Sequence, residues 1–371
     1  SFYHHESHAA AGFYTSPFDE ADVLVIDSIG EWDTISIWKA WCDKGALGKK
    51  VPRMKKVKSW KYPYSLGLFY SAITQRVGLK PNEDEYILMG MAAYGEPIHD
   101  LSDLLYRNNH RGIGQYLPEA KDADLAASAQ YLYEKELLKI IDENCKHKNL
   151  VFMGGCALNC LANSKIENKN KNIWIMPNPG DAGSAIGAAA LAFNRKLKWE
   201  GPYLGYDINR SINPKHIAKY IVNNSVCGIA NGRAEFGPRA LGNRSLIADP
   251  RINIKDTVNG IKRRQMFRPF APAILEEFAE EYFVGPMNEY MQFVAKAKHD
   301  YSSVTHVDGT ARVQIVKQNC KSIIRPVLEE FYELTGVPML LNTSLNIKGM
   351  PMVNDENDAQ LFESKYNVKV F

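Results

Sequence analysis

The order of apolar and polar positions divides the chain into stretches of different period. In "SFYHHESHAAAGFYT", residues 2 to 14 set small and aromatic residues around three histidines and read as a short helix, and the "TSPFDEAD" that follows is turn material. Val23 to Ile26 form an unbroken apolar run, expected as a buried strand. Ser28 to Glu31 contain a glycine and are expected as a turn, and the alternation through Ile35, Ile37 and Trp38 predicts a second strand, so the pair reads as a hairpin. Residues 64 to 145 are mostly helical in pattern, with "QYLYEKELLKIIDENC" the clearest amphipathic stretch. "NLVFMGGCALNCLANSKI" then reads strand, glycine turn, helix, and "NIWIMPNPGDAGSAIGAAALAF" repeats that order. Such alternation predicts an α/β layer architecture.

The periodicity lapses over residues 198 to 214, "KWEGPYLGYDINRSINP", where Gly, Pro and Asn collect. A domain boundary is expected there, dividing 1–205 from 206–371. Beyond it, short strands, basic loops and turns alternate, which predicts a smaller α+β domain. With 371 residues, 45% of them hydrophobic and 23% charged, the chain can build two cores and is excluded from the disordered class. A net charge of +3 gives no basic field that would gather nucleic acid or an anionic membrane, and the basic residues are not spread along an aromatic-lined face as RNA binding requires. No apolar run approaches the roughly 18 residues of a membrane-crossing helix, and no signal peptide is expected from the residues given. Six cysteines are thinly spread, Cys156 and Cys160 lack CxxC spacing, and a reducing, cytoplasmic setting is expected. The first residue, Ser1, lies inside what looks like a functional motif, so the chain reads as a fragment.

Against this background a few groups stand out chemically. On a helix, His4 and His8 share one face at a spacing that can chelate a metal ion, while His5 points elsewhere. Asp27 ends a buried apolar run, either as a further ligand or as the cap of the turn. Asp181 lies in "NPGDAGSAIG", a strand-to-helix loop suited to phosphate, where it can also do no more than cap the helix. "GGCALN" makes a similar turn, in which Gly154 and Gly155 let the backbone approach a ligand and Asn159 can hydrogen-bond one; two such turns after strands point to a nucleotide site, with close packing of helix on sheet as the alternative. In the second half, "GRAEFGPRALGNRSLIADPR" sets Arg233, Arg239, Arg244 and Arg251 among glycines, prolines and apolar residues, and Lys262, Arg264 and Arg268 follow. Guanidinium groups in a partly buried loop call for anionic partners, either a phosphate or carboxylate ligand or the acids of "EEFAEEYF".

The segments "HHESHAA", "VLVIDSIGEWDT", "GGCALN", "NPGDAGSAIGAA", "GRAEFGPRALGNRS", "FRPFAPA", "HVDGTARVQ" and "NTSLN" stand in the order found in O-carbamoyltransferases of the NodU/TobZ type, related to the carbamoylation factor HypF, and the chain resembles that family over nearly its whole length. The resemblance implies an α/β actin-like, sugar-kinase-like (ASKHA) domain, truncated at its N-terminus, followed by an α+β YrdC-like domain. In the first, iron(II) or another divalent metal would be held by His4, His8, Asp27 and Asp181, and Gly30, Gly154, Gly155, Asn159, Gly180 and Gly183 would hold an adenylate. In the second, Lys262-x-Arg264 and Ser344-x-Asn346 match the KxR and SxN signatures. Lys262, Arg239 and Arg264 are the implied catalytic groups there, with Arg233, Arg244, Arg268, Arg312, Ser344 and Asn346 binding carbamoyl phosphate and ATP with its Mg2+. The activity implied is formation of carbamoyl-adenylate and transfer of the carbamoyl group to a hydroxyl-bearing acceptor, by an enzyme that can be a homodimer.

Two departures bear on that reading: Gln265 stands where the family commonly has glutamate, and by the resemblance the leading lobe of the actin-like fold is expected to precede the HxxxH motif and lie outside this sequence. The end, "ENDAQLFESKYNVKVF", is expected to lack the family's final helix and strand. The rival from another class is an actin-like nucleotide-binding module with a regulatory role and dead sites, which leaves the basic loops unexplained. A metallopeptidase needs HExxH, and "HHESH" does not space its histidines that way.

Overall fold

The computed structural model describes residues 1–45, 50–167 and 169–371. The chain divides into two compact units, Ser1–Glu200 and Gly201–Phe371. Among the described residues no helix is long and apolar enough to cross a membrane.

The first unit opens with α1 (His4–Thr15), followed by β1 (Glu20–Gly30), β2 (Asp33–Lys44) and β3 (Lys50–Lys61). Then come α2 (Leu66–Arg76), α3 (Glu85–Met91), α4 (Asp122–Asn144), β4 (Asn149–Met153), α5 (Cys160–Glu167), β5 (Asn172–Trp174) and α6 (Asp181–Phe193). The sheet order is β3-β2-β1-β4-β5. The first three strands form an antiparallel meander, and β4 and β5 join in parallel. Val23, Leu24, Val25 and Ile26 are all fully buried, so both faces of β1 are covered, which is why this strand reads as a continuous apolar run and not as an alternation.

The hairpin differs from expectation in one respect. β1 continues to Gly30, its pairing with β2 is irregular between Ile26 and Gly30, and the reversal is made by Glu31 at φ 60° with Trp32. Sequence periodicity also overstates helix over residues 64 to 145, because the segment between α3 and α4 holds only short 3-10 turns, at Ala92–Tyr94, Ser102–Tyr106 and Asn109–Arg111. β3 was not foreseen. It is an edge strand whose Lys50, Arg53, Lys55, Lys56, Lys58 and Lys61 are largely exposed, so no apolar alternation marks it, and charge on an edge discourages further strand pairing.

The second unit contains β6 (Tyr203–Ile208), α7 (Pro214–Asn224), β7 (Val226–Ala230), β8 (Gly232–Glu235), β9 (Arg244–Ala248) and α8 (Lys255–Lys262). β10 (Ala271–Leu275), α9 (Ala279–Tyr282), β11 (Phe283–Val284), β12 (Ala295–Ala297), β13 (Thr310–Ala311) and β14 (Gln314–Val316) follow. The last elements are α10 (Ile324–Thr335), β15 (Met339–Ser344) and α11 (Glu356–Tyr366). Its main sheet, β14-β10-β15-β9-β7, is antiparallel except for the β10–β14 pair. Leu246, Ile247, Ile274, Leu340 and Leu341 from the sheet and Ile217, Ile221, Val327 and Phe331 from α7 and α10 share one core. The tail corrects the sequence reading: "ENDAQLFESKY" is helical, capped by Asp355 accepting from the Asp358 N–H, and Val370 bridges in parallel to Gly228 on β7.

Candidate active site

The first unit brings His4, His8, Asp27 and Asp181 together, with one donor atom from each lying within 4.8 Å of all the others. His4 Nε2 is 2.8 Å from Asp27 Oδ2 and 3.4 Å from Asp181 Oδ1; His8 Nε2 is 3.2 Å from Asp181 Oδ1, 3.4 Å from Asp27 Oδ2 and 3.1 Å from His4 Nε2. Ligands about 2.1 Å from a divalent ion and at right angles to one another stand about 3 Å apart, so these separations and two imidazoles with two carboxylates fit iron(II) or a similar ion.

Hydrogen bonds to Asp181 and then Asp27 push the His4 pKa up to about 10 against its partial burial. Burial alone would lower His8, but the same two carboxylates outweigh it and the net shift is upward. Burial would likewise raise Asp27, yet His4 and His8 hold it well below the usual carboxylate range; His4, followed by His8, does the same for Asp181. His8 is fully buried, whereas the Asp181 side chain is 73% exposed, so the cluster opens to solvent on the Asp181 side.

The local folding explains the convergence. The irregular pairing after Ile26 leaves Asp27 to accept the Ser28 N–H at 2.8 Å while its other oxygen faces the histidines. A Cβ on Gly30 would stand 2.5 Å from the His5 ring and 2.6 Å from the His4 ring. α6 brings Asp181 to α1 by packing its small residues closely, since a Cβ on Gly187 would lie 1.8 Å from the Ser7 carbonyl oxygen. Past the far end of α6, Lys196 donates to Ser16 O at 2.9 Å and to Phe13 O, tying down the C-terminal end of α1. Sequence reasoning missed Gly187 and Lys196, although the "GSAIG" spacing of small residues was a visible signal. His5 does point away: its Nδ1 lies 2.8 Å from Ser36 Oγ, which also accepts the Trp38 indole N–H, and burial lowers its pKa to about 4.

The glycines expected to hold an adenylate have packing duties of their own. Gly154, at φ 92°, passes so close to β1 that a Cβ would be 2.1 Å from Ile26 O, and a Cβ on Gly183 would be 1.7 Å from Asn178 O. Gly155 borders Asp27 Oδ1, and Gly180 is open. Asn159 is placed otherwise than expected. It is buried, exchanges two hydrogen bonds with Gln130 and accepts the Ala162 N–H at the start of α5, so its amide serves the fold rather than a ligand.

In the second unit the two signatures meet. Lys262, 4% exposed at the end of α8, directs Nζ at Ser344 Oγ (3.2 Å), Asn346 O (2.9 Å) and Asn346 Oδ1 (2.9 Å), as well as at Ser344 O. Ser344 Oγ in turn donates to Asn346 Oδ1 at 2.6 Å. Burial, then the positive charge of Arg264 and Arg268, pushes the Lys262 pKa well below its usual value. Arg264 donates to Asn259 Oδ1 at 2.6 Å and stacks 4.1 Å from the Phe270 ring; Asn259 donates to the Arg268 carbonyl, which joins these two arginines to α8. Arg239 and Arg312 are half-buried, on the β8–β9 loop and beside β13.

Other arginines have different employment. Arg244 is fully buried and its guanidinium donates to the carbonyls of Tyr206, Gly232, Asn243 and Asn354, so backbone oxygens, not a ligand anion, satisfy it. Arg233 is exposed and reaches the carbonyls of Leu204 and Gly205. Arg251 pairs with Asp249, and the acid Glu277 of the "EEFAEEYF" stretch is taken by Arg325. Arg244 was misjudged because a sequence cannot show that carbonyl oxygens line a loop.

Two family models cover the chain: carbamoyltransferase N-terminus over residues 1–119 and 112–190, and carbamoyltransferase C-terminus over residues 218–371. An uncharacterized protein of Synechocystis is 34% identical across 96% of this chain and 72% of its own length. The nodulation protein NolNO of Sinorhizobium fredii is 33% identical across 96% of this chain and 60% of its own. Among solved structures, component A of (R)-2-hydroxyglutaryl-CoA dehydratase from Acidaminococcus fermentans is 14% identical over 50% of this chain and 65% of that one, with a TM-score of 0.32, a likeness too slight to bear on the fold. Matched in both units by its models and by relatives along nearly all its length, the chain belongs to the carbamoyltransferase family.

Proposed function

We propose that the chain makes carbamoyl-adenylate in its second unit and transfers the carbamoyl group to an acceptor hydroxyl in its first. The observation that carries this reading is the convergence of His4, His8, Asp27 and Asp181 in a member of the carbamoyltransferase family. On the same reading the first unit is actin-like and the second YrdC-like, and the substrates are carbamoyl phosphate and ATP with Mg2+.

In the second unit, water displaces phosphate from carbamoyl phosphate to leave carbamate. A carbamate oxygen then bonds to the ATP α-phosphorus as the bond to pyrophosphate breaks. Charge builds on phosphoryl oxygens throughout, so the task of the chain is positioning and neutralisation. Arg239, Arg264, Arg268 and Arg312 supply positive charge, while Ser344 and Asn346 aim Lys262. In the first unit, the start of α6 beside Gly180 and the Gly154–Gly155 turn receive the adenylate phosphate. His4, His8, Asp27 and Asp181 would hold the metal, which when bound supplies Lewis-acid polarisation of a carbonyl. The acceptor hydroxyl bonds to the carbamoyl carbon, AMP leaves, and the hydroxyl proton is lost to solvent or to the departing phosphate.

The test is to incubate the full-length protein with ATP, Mg2+ and carbamoyl phosphate. One pyrophosphate and one phosphate are expected for each carbamoyl-adenylate formed, with AMP appearing only when an acceptor is added. ATP left intact in the presence of carbamoyl phosphate would refute the reading.

A further inference from the structure

The segment from Phe236 to Asn243, between β8 and β9, has no regular structure, yet buried side chains hold its stem almost atom by atom. Glu235 Oε1 accepts the backbone N–H groups of Leu241 (2.7 Å), Asn243 (2.8 Å) and Arg244 (3.4 Å). The Leu241 carbonyl accepts from Gln314 Nε2 at 3.0 Å and from the Tyr203 hydroxyl at 3.2 Å, and Asn342 Nδ2 donates to the Ala240 carbonyl at 3.1 Å. Asn342 also donates to Gln314 Oε1 at 2.7 Å, linking the two supports, and the Gly242 N–H is accepted by Ser245 Oγ at 2.9 Å. Gly242 sits at φ 119°, where a Cβ would stand 2.4 Å from Ser322 Oγ, so the stem is seated against its surroundings with no room for a side chain.

Residues 240–243 are buried, while the tip turns outward: Pro238 is exposed and Arg239 half-buried. A surface loop ordinarily leaves its backbone groups to water. Here a carboxylate, 7% exposed and costly to bury, is committed to three N–H groups, and its Oε2 has no hydrogen-bond partner among the described residues. Such an arrangement has a use where the shape of the tip matters.

We infer that Glu235 is a positioning residue, whose carboxylate folds the stem so that the tip presents Arg239 to a phosphoryl group. The inference rests on the second unit being the adenylate-forming site, and it names the residue that shapes that site without touching the substrate.

The experiment combines kinetics and amide exchange on the full-length protein. Pyrophosphate release from ATP with carbamoyl phosphate is measured for wild type, E235A, E235Q, R239A and E235A/R239A. E235A should raise KM for ATP or carbamoyl phosphate by about tenfold or more with a smaller change in kcat, and the double variant should be no worse than R239A within about twofold, because both substitutions remove one contribution. E235Q keeps the Oε1 acceptor and should stay within about threefold of wild type. Hydrogen exchange at the Leu241 and Asn243 amides should quicken in E235A, remain slow in E235Q, and be unchanged at Ala273 and Ile274 in β10. If E235A does not fold, E235D, which withdraws the carboxylate by one methylene, should show the same selective rise in KM.

Multiplicative effects in the double variant, E235Q as impaired as E235A, or Leu241 and Asn243 amides as protected in E235A as in wild type would each overturn the inference. Absence of pyrophosphate release by wild type would overturn the proposed reaction alone, and the exchange comparison would still decide whether Glu235 holds the loop.

Discussion

The two units gather charge in opposite ways. In the first, two histidines and two carboxylates from distant parts of the chain close on one another, and each side shifts the other's protonation toward the charged form. In the second, Lys262 is surrounded by neutral oxygens of its own chain, and Arg264 and Arg268 act on it as like charges. One site is complementary within itself, each imidazole facing both carboxylates. The other gathers positive groups around a lysine that is held in place but whose charged form burial and its neighbours disfavour, an arrangement that suits a substrate bringing its own negative charge.

The contrast can be broken most sharply by removing one ligand. His8→Ala should abolish metal retention in the full-length protein, since a ligand set reduced to His4, Asp27 and Asp181 loses its only fully buried member, while Lys262→Ala should leave metal content unchanged; elemental analysis of the purified variants decides both. Equal metal loss in the two variants would mean that the sites are not independent.

Next in size is the seat of Asp181. Gly187→Val pushes a side chain into the Ser7 carbonyl and should cost about 3 kcal/mol by chemical denaturation, the upper part of the overpacking range, and weaken metal binding by parting α6 from α1. A variant with wild-type stability would show that the two helices separate freely.

Lys262→Met tests the other half of the comparison. It removes the Lys262 donor from the Asn346 carbonyl and leaves the Ser344 carbonyl with the Asn346 N–H alone, so adenylate formation should stop and stability should fall by roughly 1 to 3 kcal/mol. Loss of activity with no loss of stability would mean that the lysine is not held by the 344–346 turn. Asn346→Ala, which removes one acceptor from Lys262, should raise the apparent KM for ATP or carbamoyl phosphate and should also lower Tm slightly, because its amide joins Lys262, Ser344 and the Met350 carbonyl.

The smallest effect is at Lys196, whose pKa burial lowers to about 8 from an ordinary value near 10.5. Between these values the unfolded chain holds more protons than the folded one, so raising the pH through this window favours the native state. The stability difference between wild type and Lys196→Met should therefore shift in favour of wild type as the pH rises from about 8 to about 10. A flat difference would mean that the ammonium is not desolvated.

Legibility in the sequence followed how local each feature is. α1 and the shared face of His4 and His8 come from one stretch of about three turns and were readable directly. Asp27 was visible as an acid ending an apolar run, but the irregular pairing that aims it depends on β2, and Asp181 lies 173 residues from His8, so only the family resemblance joined them. β3 escaped because an edge strand covered by lysines carries no apolar alternation. Asn159 was misread since an asparagine after a glycine turn looks the same whether it caps a helix or meets a ligand. The meeting of Lys262 with Ser344 and Asn346 was open to inference only as two signatures, because their contact spans more than 80 residues.

Separate sites for adenylate formation and carbamoyl transfer can be told from a single one by rescue with the intermediate. Lys262→Ala and His8→Ala variants of the full-length protein are each supplied with preformed carbamoyl-adenylate and a panel of monosaccharide acceptors, and carbamoylated product is measured against wild type. With separate sites, Lys262→Ala, dead with carbamoyl phosphate and ATP, should recover wild-type transfer, and His8→Ala should remain inactive. A wild type that turns over while Lys262→Ala stays dead, or a His8→Ala variant that transfers normally, would contradict that separation.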